Sequence, residues 1–92
     1  MPPQTPNDPH ALALAALAAT LTDERRALRF LDLTGIGTDA LRRRADEPAL
    51  LISLIAFLEA YEPDLVSVSE QVGVKPEALV AARRELEGWE KT

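Results

Sequence analysis

No cysteine occurs among the 92 residues, and there is a single histidine. Disulfide staples and thiolate metal ligands are excluded, little imidazole chemistry remains, and a reducing cytoplasm is the expected compartment. Aromatic residues are almost as scarce, with two Phe, one Tyr and one Trp in a chain that is 47% hydrophobic. The core must therefore be built from Leu, Ala, Val and Ile. Glycine is limited to four positions, and Gly35-x-Gly37 lacks the rest of any phosphate-binding fingerprint. No apolar run reaches the roughly 20 residues that a bilayer requires, so no membrane association is expected. Positive charge is also in deficit. The net charge of -5 works against non-specific attraction to phosphate backbones and anionic membranes.

What is present is helical periodicity. The stretch Glu47 to Tyr61, EPALLISLIAFLEAY, has only Ser53 and Glu59 among its apolar residues after Pro48. On a helix, Leu50, Leu51, Leu54, Phe57, Leu58 and Tyr61 form one broad stripe, and Ile52 and Ile55 make its flank apolar as well. A helix apolar on most sides must be surrounded. The length predicts one domain, an all-α compact bundle of five or six short helices around a buried central helix at about 47–61.

The remaining chain fits that frame. Residues 1–7, with three prolines and no apolar period, read as a disordered tail, and residues 8–92 as a single helical domain. Asp8 and Pro9 start helix 1, in which Leu14, Leu17 and Leu21 share a stripe and the alanines between them permit close approach. Its alanine-rich run follows an aspartate rather than positive charge, which predicts a helix of the domain in preference to a secretory signal. Thr22 is expected to cap helix 2, with Ala27, Phe30, Leu31 and Thr34 facing inward, Leu28 widening the stripe, and Arg25, Arg29 and Asp32 facing away. Thr38 is expected to cap a short helix 3. Pro63 opens helix 5, where Val-Ser-Val-Ser alternates like a strand while Leu65, Val68 and Val72 have helical spacing. With no partner strand elsewhere, helix is favoured. Pro76 starts helix 6, with Leu79, Ala82, Leu86 and Trp89 in a stripe.

Two helix-Gly-turn-helix corners flank the central helix. Gly35-Ile36-Gly37-Thr38-Asp39-Ala40-Leu41 matches Gly73-Val74-Lys75-Pro76-Glu77-Ala78-Leu79 at an offset of 38. Each places a glycine at a left-handed cap, a β-branched residue under the corner and an early acid at the next helix. The second corner has the form of a helix-turn-helix. Val68, Val72, Val74, Leu79 and Ala82 are apolar where such a motif buries side chains, and Ser69 is small where packing demands it. Its candidate DNA-binding residues are Lys75, Arg83 and Arg84 on or near the 76–87 helix, but acids surround them and phosphate binding depends on a cationic face.

Charge is unevenly divided. Up to Ala45 there are six arginines against five acids, and from Asp46 four basic residues against ten acidic ones. Arg25, Arg26 and Arg29 of helix 2 and Arg42-Arg43-Arg44 of helix 3 could form a basic face for an acidic partner. The alternative for the Arg42 run is a solvated helix end favoured by the dipole. Catalysis has little support. His10 is expected to be solvent-exposed at the edge of the tail. Glu59, Glu62 and Asp64 read as solvated carboxylates without the Glu-x-x-His pairs of a bundle metal site.

The Phe30-Leu31-x-Leu33-Thr34-Gly35 corner, the Asp39-Ala40-Leu41 start, Asp46-Glu47-Pro48 and the Gly73 to Leu79 corner together resemble a family of short, all-helical alphaproteobacterial proteins catalogued as a domain of unknown function. The resemblance covers about Asp8 to Gly88 and implies a small cytoplasmic, bacterial helical bundle, with no activity or site to carry over. The expected function is non-enzymatic, without cofactor or metal: a protein-protein interaction module or adaptor, binding another protein through Arg25, Arg29, Arg42 and Arg43, with a second copy as the partner if Leu or Ile on the flank of the central helix is left exposed. The alternative is a helix-turn-helix DNA-binding protein.

Overall fold

The computed structural model describes residues 8–90, and the tail expected at 1–7 lies outside the described residues. Six helices and no strand occur among them: α1 Pro9–Leu21, α2 Glu24–Thr34, α3 Thr38–Arg44, α4 Pro48–Glu59, α5 Glu62–Val72 and α6 Pro76–Glu90. The ambiguous Val-Ser-Val-Ser segment is helical within α5, with Val68 and Ser69 buried.

The core centres on two helices. In α4, Leu51, Leu54, Ile55 and Leu58 are fully buried and Leu50 nearly so, each worth roughly 1.5–3 kcal/mol of apolar burial. The expected central helix is thus present. It has an equal partner in α1, which packs against α2, α4, α5 and α6. Ala13 and Ala16 of α1 are completely buried, so neighbouring backbones approach where larger side chains would hold them apart. The α6 stripe of Leu79, Ala82 and Leu86 closes the core.

Both glycine corners form. Gly35 has φ +70° and Gly73 φ +90°, the left-handed conformation that glycine adopts without a Cβ penalty. Each donates its N–H at 2.8 Å to the carbonyl four residues earlier, of Leu31 and Ser69 respectively. Ile36 and Val74 both pack against the core beneath them. The match extends beyond the corners, since α2 starts at Glu24 and α5 at Glu62, again 38 apart.

Several boundaries differ from the expectation. Thr22 closes α1 with its hydroxyl donating to Ala19 O at 2.7 Å, and Asp23 caps α2 by accepting the Arg26 N–H at 3.0 Å. A two-residue link leaves the threonine attached to the preceding helix, and the carboxylate is the nearer acceptor. Gly37, rather than Thr38, is the N-cap of α3. The central helix ends at Glu59, so Tyr61 becomes the N-cap of α5 and is half-exposed instead of completing the α4 stripe. The break falls at Tyr61, whose backbone is extended (φ −141°, ψ 99°), and Pro63 in the first turn of α5 has no N–H with which to continue the hydrogen-bond ladder of α4.

Candidate functional site

Helix α2 departs most from its expected orientation. Leu28, expected inside, is 59% exposed, and Arg26 is buried. Arg29, expected to face away, lies against α4 and α5. The cause is Asp64, whose carboxylate is buried at the start of α5. Arg26 Nε donates to Asp64 Oδ1 at 3.2 Å and Arg29 Nη2 to Oδ2. Arg26 Nη2 also reaches Ser67 Oγ at 3.3 Å and lies 4.0 Å from Asp23 Oδ2. Asp64 is therefore not the solvated carboxylate that its position at a helix boundary suggests. A buried charge requires a partner, and here one carboxylate serves two guanidinium groups.

Arg29 is further held by aromatic rings. Its guanidinium carbon lies 5.5 Å from the ring centroids of both Phe57 and Tyr61, within range of cation–π attraction. Phe57 meets Phe30 edge to face at 5.4 Å. Three of the four aromatics thus join α2 to the end of α4, and among the described residues no buried side-chain nitrogen or oxygen lacks a hydrogen-bond partner.

Beside this cluster runs an apolar groove of about 460 Å³. Ser53 and Ala56 of α4 and Ala60 at its C-cap line it together with Phe57, Leu33 from α2, and Tyr61 beyond α4. Leu33 is 76% exposed and Tyr61 53%, so large apolar groups stand beside small ones. The opposite flank of α2 borders a second depression of about 510 Å³, lined by Leu17, Leu21, Ala27, Leu31, Leu41 and Arg42, among others. Helix geometry separates the two, because positions 27 and 29 lie about 200° apart around the axis.

The expected basic face is therefore not assembled as one surface. Arg29 faces the first groove and Arg42 the second. Arg26 is buried, and Arg44 Nε donates to Glu47 at 2.8 Å. Arg25, Arg42 and Arg43 are exposed. At the second corner, the positions expected to pack do so: Val68, Leu79 and Ala82 are buried, and Val72 and Val74 lie against the core. Of its candidate DNA contacts, Lys75 and Arg84 are exposed. Arg83 is engaged by Glu59 through Nε and Nη2, the latter at 3.2 Å, and by Glu87 at 2.9 Å. The Glu59 hydrogen bonds, aided by Glu87, hold the Arg83 guanidinium above its ordinary pKa. Glu59 is thus paired and partly buried, while Glu62 is exposed.

His10 is also placed differently from the expectation. Its Nε2 lies 2.6 Å from the carbonyl oxygen of Asp46, so the ring donates to the α3–α4 turn and is only partly exposed. Among the described residues no three His, Cys, Asp or Glu side chains converge as a metal site would require, and no helix is long and apolar enough to cross a membrane. The buried arginine is the feature the sequence reading missed. Its sequence signal is the spacing of Arg26 and Asp64, which occupy matching places in the 38-residue offset, each at the third residue of its helix.

No curated protein and no solved structure matches the chain. Residues 6–89 match a family model described as "Protein of unknown function (DUF3572)", and the chain belongs to that family.

Proposed function

We propose that this protein is a non-enzymatic interaction module that docks another protein in the groove between α2 and α4. The observation that carries the reading is the exposure of Leu33 and Tyr61 beside the small residues Ser53 and Ala56 of α4 and Ala60 at its C-cap. Scattered exposed leucines need no explanation, but apolar groups gathered around a concave surface are the form that partner sites take. The groove replaces the arginine set as the centre of the proposed interface, and Arg29 is the one member of that set that lines it. The DNA-binding alternative has weaker support, because Arg83 is held by two carboxylates and leaves Lys75 and Arg84 among exposed acids.

The test compares proteins captured from a native lysate by the tagged full chain with those captured by Leu33→Glu and Ala56→Arg, each with and without nuclease. Both residues are exposed, so melting should stay within about 0.5 kcal/mol of wild type. Partners that resist nuclease and disappear with both variants are expected. Capture of the same partners by wild type and both variants overturns the groove assignment. DNA retention that is lost on Lys75→Glu plus Arg84→Glu would favour the α5–α6 corner instead.

A further inference from the structure

The groove has a charged end, which specifies what it accepts. Arg29 has five N–H donors, and among the described residues its only hydrogen bond is the one from Nη2 to Asp64. Its side chain is 49% exposed. The rings of Phe57 and Tyr61 and the Asp64 bond hold the guanidinium in place, so little rotamer freedom remains to be lost when it binds. Asp64 offers no equivalent opening to a cation. It also lines the groove, but its side chain is only 11% exposed and each oxygen already accepts from an arginine, so an approaching lysine meets two guanidinium groups before the carboxylate. An approaching carboxylate meets free donors.

We infer that the α2–α4 groove takes a helical segment of a partner protein in which a carboxylate accompanies the apolar side chains and pairs with Arg29. The inference rests on the groove being the docking face. Dimensions favour a helix, because Ser53 to Ala60 spans about two helical turns, or roughly 10 Å, and matches an apolar stripe with i, i+4 and i+7 anchors. Charge complementarity at Arg29 fixes the sign of the polar group and the end at which it lies. Residues 1–7 of the chain itself contain no acidic side chain and cannot supply that carboxylate.

The test uses the full chain and three fluorescent, end-blocked peptides of helix-forming sequence, with leucines at i, i+4 and i+7. They differ at one position, a turn before the first leucine, which is Glu, Gln or Lys. Fluorescence anisotropy should give the Glu peptide an affinity about tenfold above the Lys peptide, the scale of one partly buried ion pair. Added salt should narrow the gap, and Arg29→Gln should abolish it while Arg29→Lys restores part. Leu33→Glu should weaken all three peptides, the Glu peptide most, because the new carboxylate stands one turn from Arg29. Equal affinities for the Glu and Lys peptides, or a preference that survives Arg29→Gln, overturns the acidic partner; if Leu33→Glu still removes binding, the groove itself stands. The comparison of peptides on wild-type protein decides the sign even if an Arg29 variant fails to fold. Absence of binding by all three at millimolar concentration overturns the helical occupant. Sedimentation showing wild-type dimers that Leu33→Glu converts to monomers also overturns it, in favour of a second copy in the groove.

Discussion

Replacing Asp64 with Asn should be among the most damaging single changes of nearly constant shape. The substitution keeps the volume and one acceptor oxygen but removes the charge shared by Arg26 and Arg29. Only the Arg26 side counts fully, because its side chain and that of Asp64 are 10% and 11% exposed. Breaking a buried pair by removing one partner costs about 3–5 kcal/mol. The remaining Asn oxygen, the Ser67 hydroxyl and the more distant Asp23 carboxylate move the expected value to the lower end, about 3 kcal/mol. The Arg29 contribution is discounted to less than about 1 kcal/mol, since that side chain is half in solvent. For a domain of this size the sum, about 3–4 kcal/mol, lowers the melting temperature by roughly 12–32 °C and removes a large part of a total stability near 5–14 kcal/mol. Urea and thermal unfolding followed by far-UV circular dichroism measure both. A second variant separates buried charge from shape: Arg26→Met with Asp64→Leu should unfold within about 1 kcal/mol of wild type, because apolar replacement avoids leaving an orphaned ion. The reasoning is refuted if Asp64→Asn melts like wild type, or if the double variant is no better than the single.

Other outcomes follow from the turns and caps. Gly73→Ala should cost about 1–2 kcal/mol from the left-handed backbone alone, since a Cβ at Gly73 would meet no atom within 4 Å; a much larger loss in urea unfolding would show a steric role instead. The Asp23 carboxylate lies below its ordinary pKa, chiefly because it accepts the Arg26 N–H and then because of the nearby Arg26 and Arg25 charges. A lowered folded-state value means that this contribution is present above the unfolded pKa and lost as pH falls through the folded one. Acid melts of wild type should therefore steepen below the ordinary value of 3.8, and Asp23→Asn, which still caps the helix, should flatten that part of the curve. An unchanged acid limb would remove Asp23 from the account.

The helices and the core of α4 are legible in the sequence because they rest on local rules. Glycine at a left-handed cap, proline at a helix start and apolar spacing all act within a few residues, and each recurs at Gly35, Gly73, Pro48 and Pro76. The orientation of α2 is set differently. Helical spacing places Leu28 beside Leu31 and makes Arg29 look like an outward residue, but the deciding contact is Asp64, far along the chain. A buried carboxylate at a helix boundary has the same local sequence as a solvated one. The groove was hidden for the same reason. Ser53 reads as a small interruption in a buried helix and Ala56 and Ala60 as part of its apolar run, and only the end of α4 at Glu59, with Tyr61 turned outward, shows that this side of the helix is uncovered.

The packing of α1 against α6 also bears on how the chain is made. Within this domain α1 is made before α6, which covers it, and Leu79, Ala82 and Leu86 of α6 are among the residues that complete its surroundings. Local helices can form during synthesis, but the α1–α4 pair keeps an unshielded apolar side until the fifteen-residue α6 emerges. The core therefore closes only once α6 is available, in a long-range step that brings α6 back onto α1. A chain cut before α6 is an open core and a substrate for chaperones and proteases rather than a smaller version of the same domain.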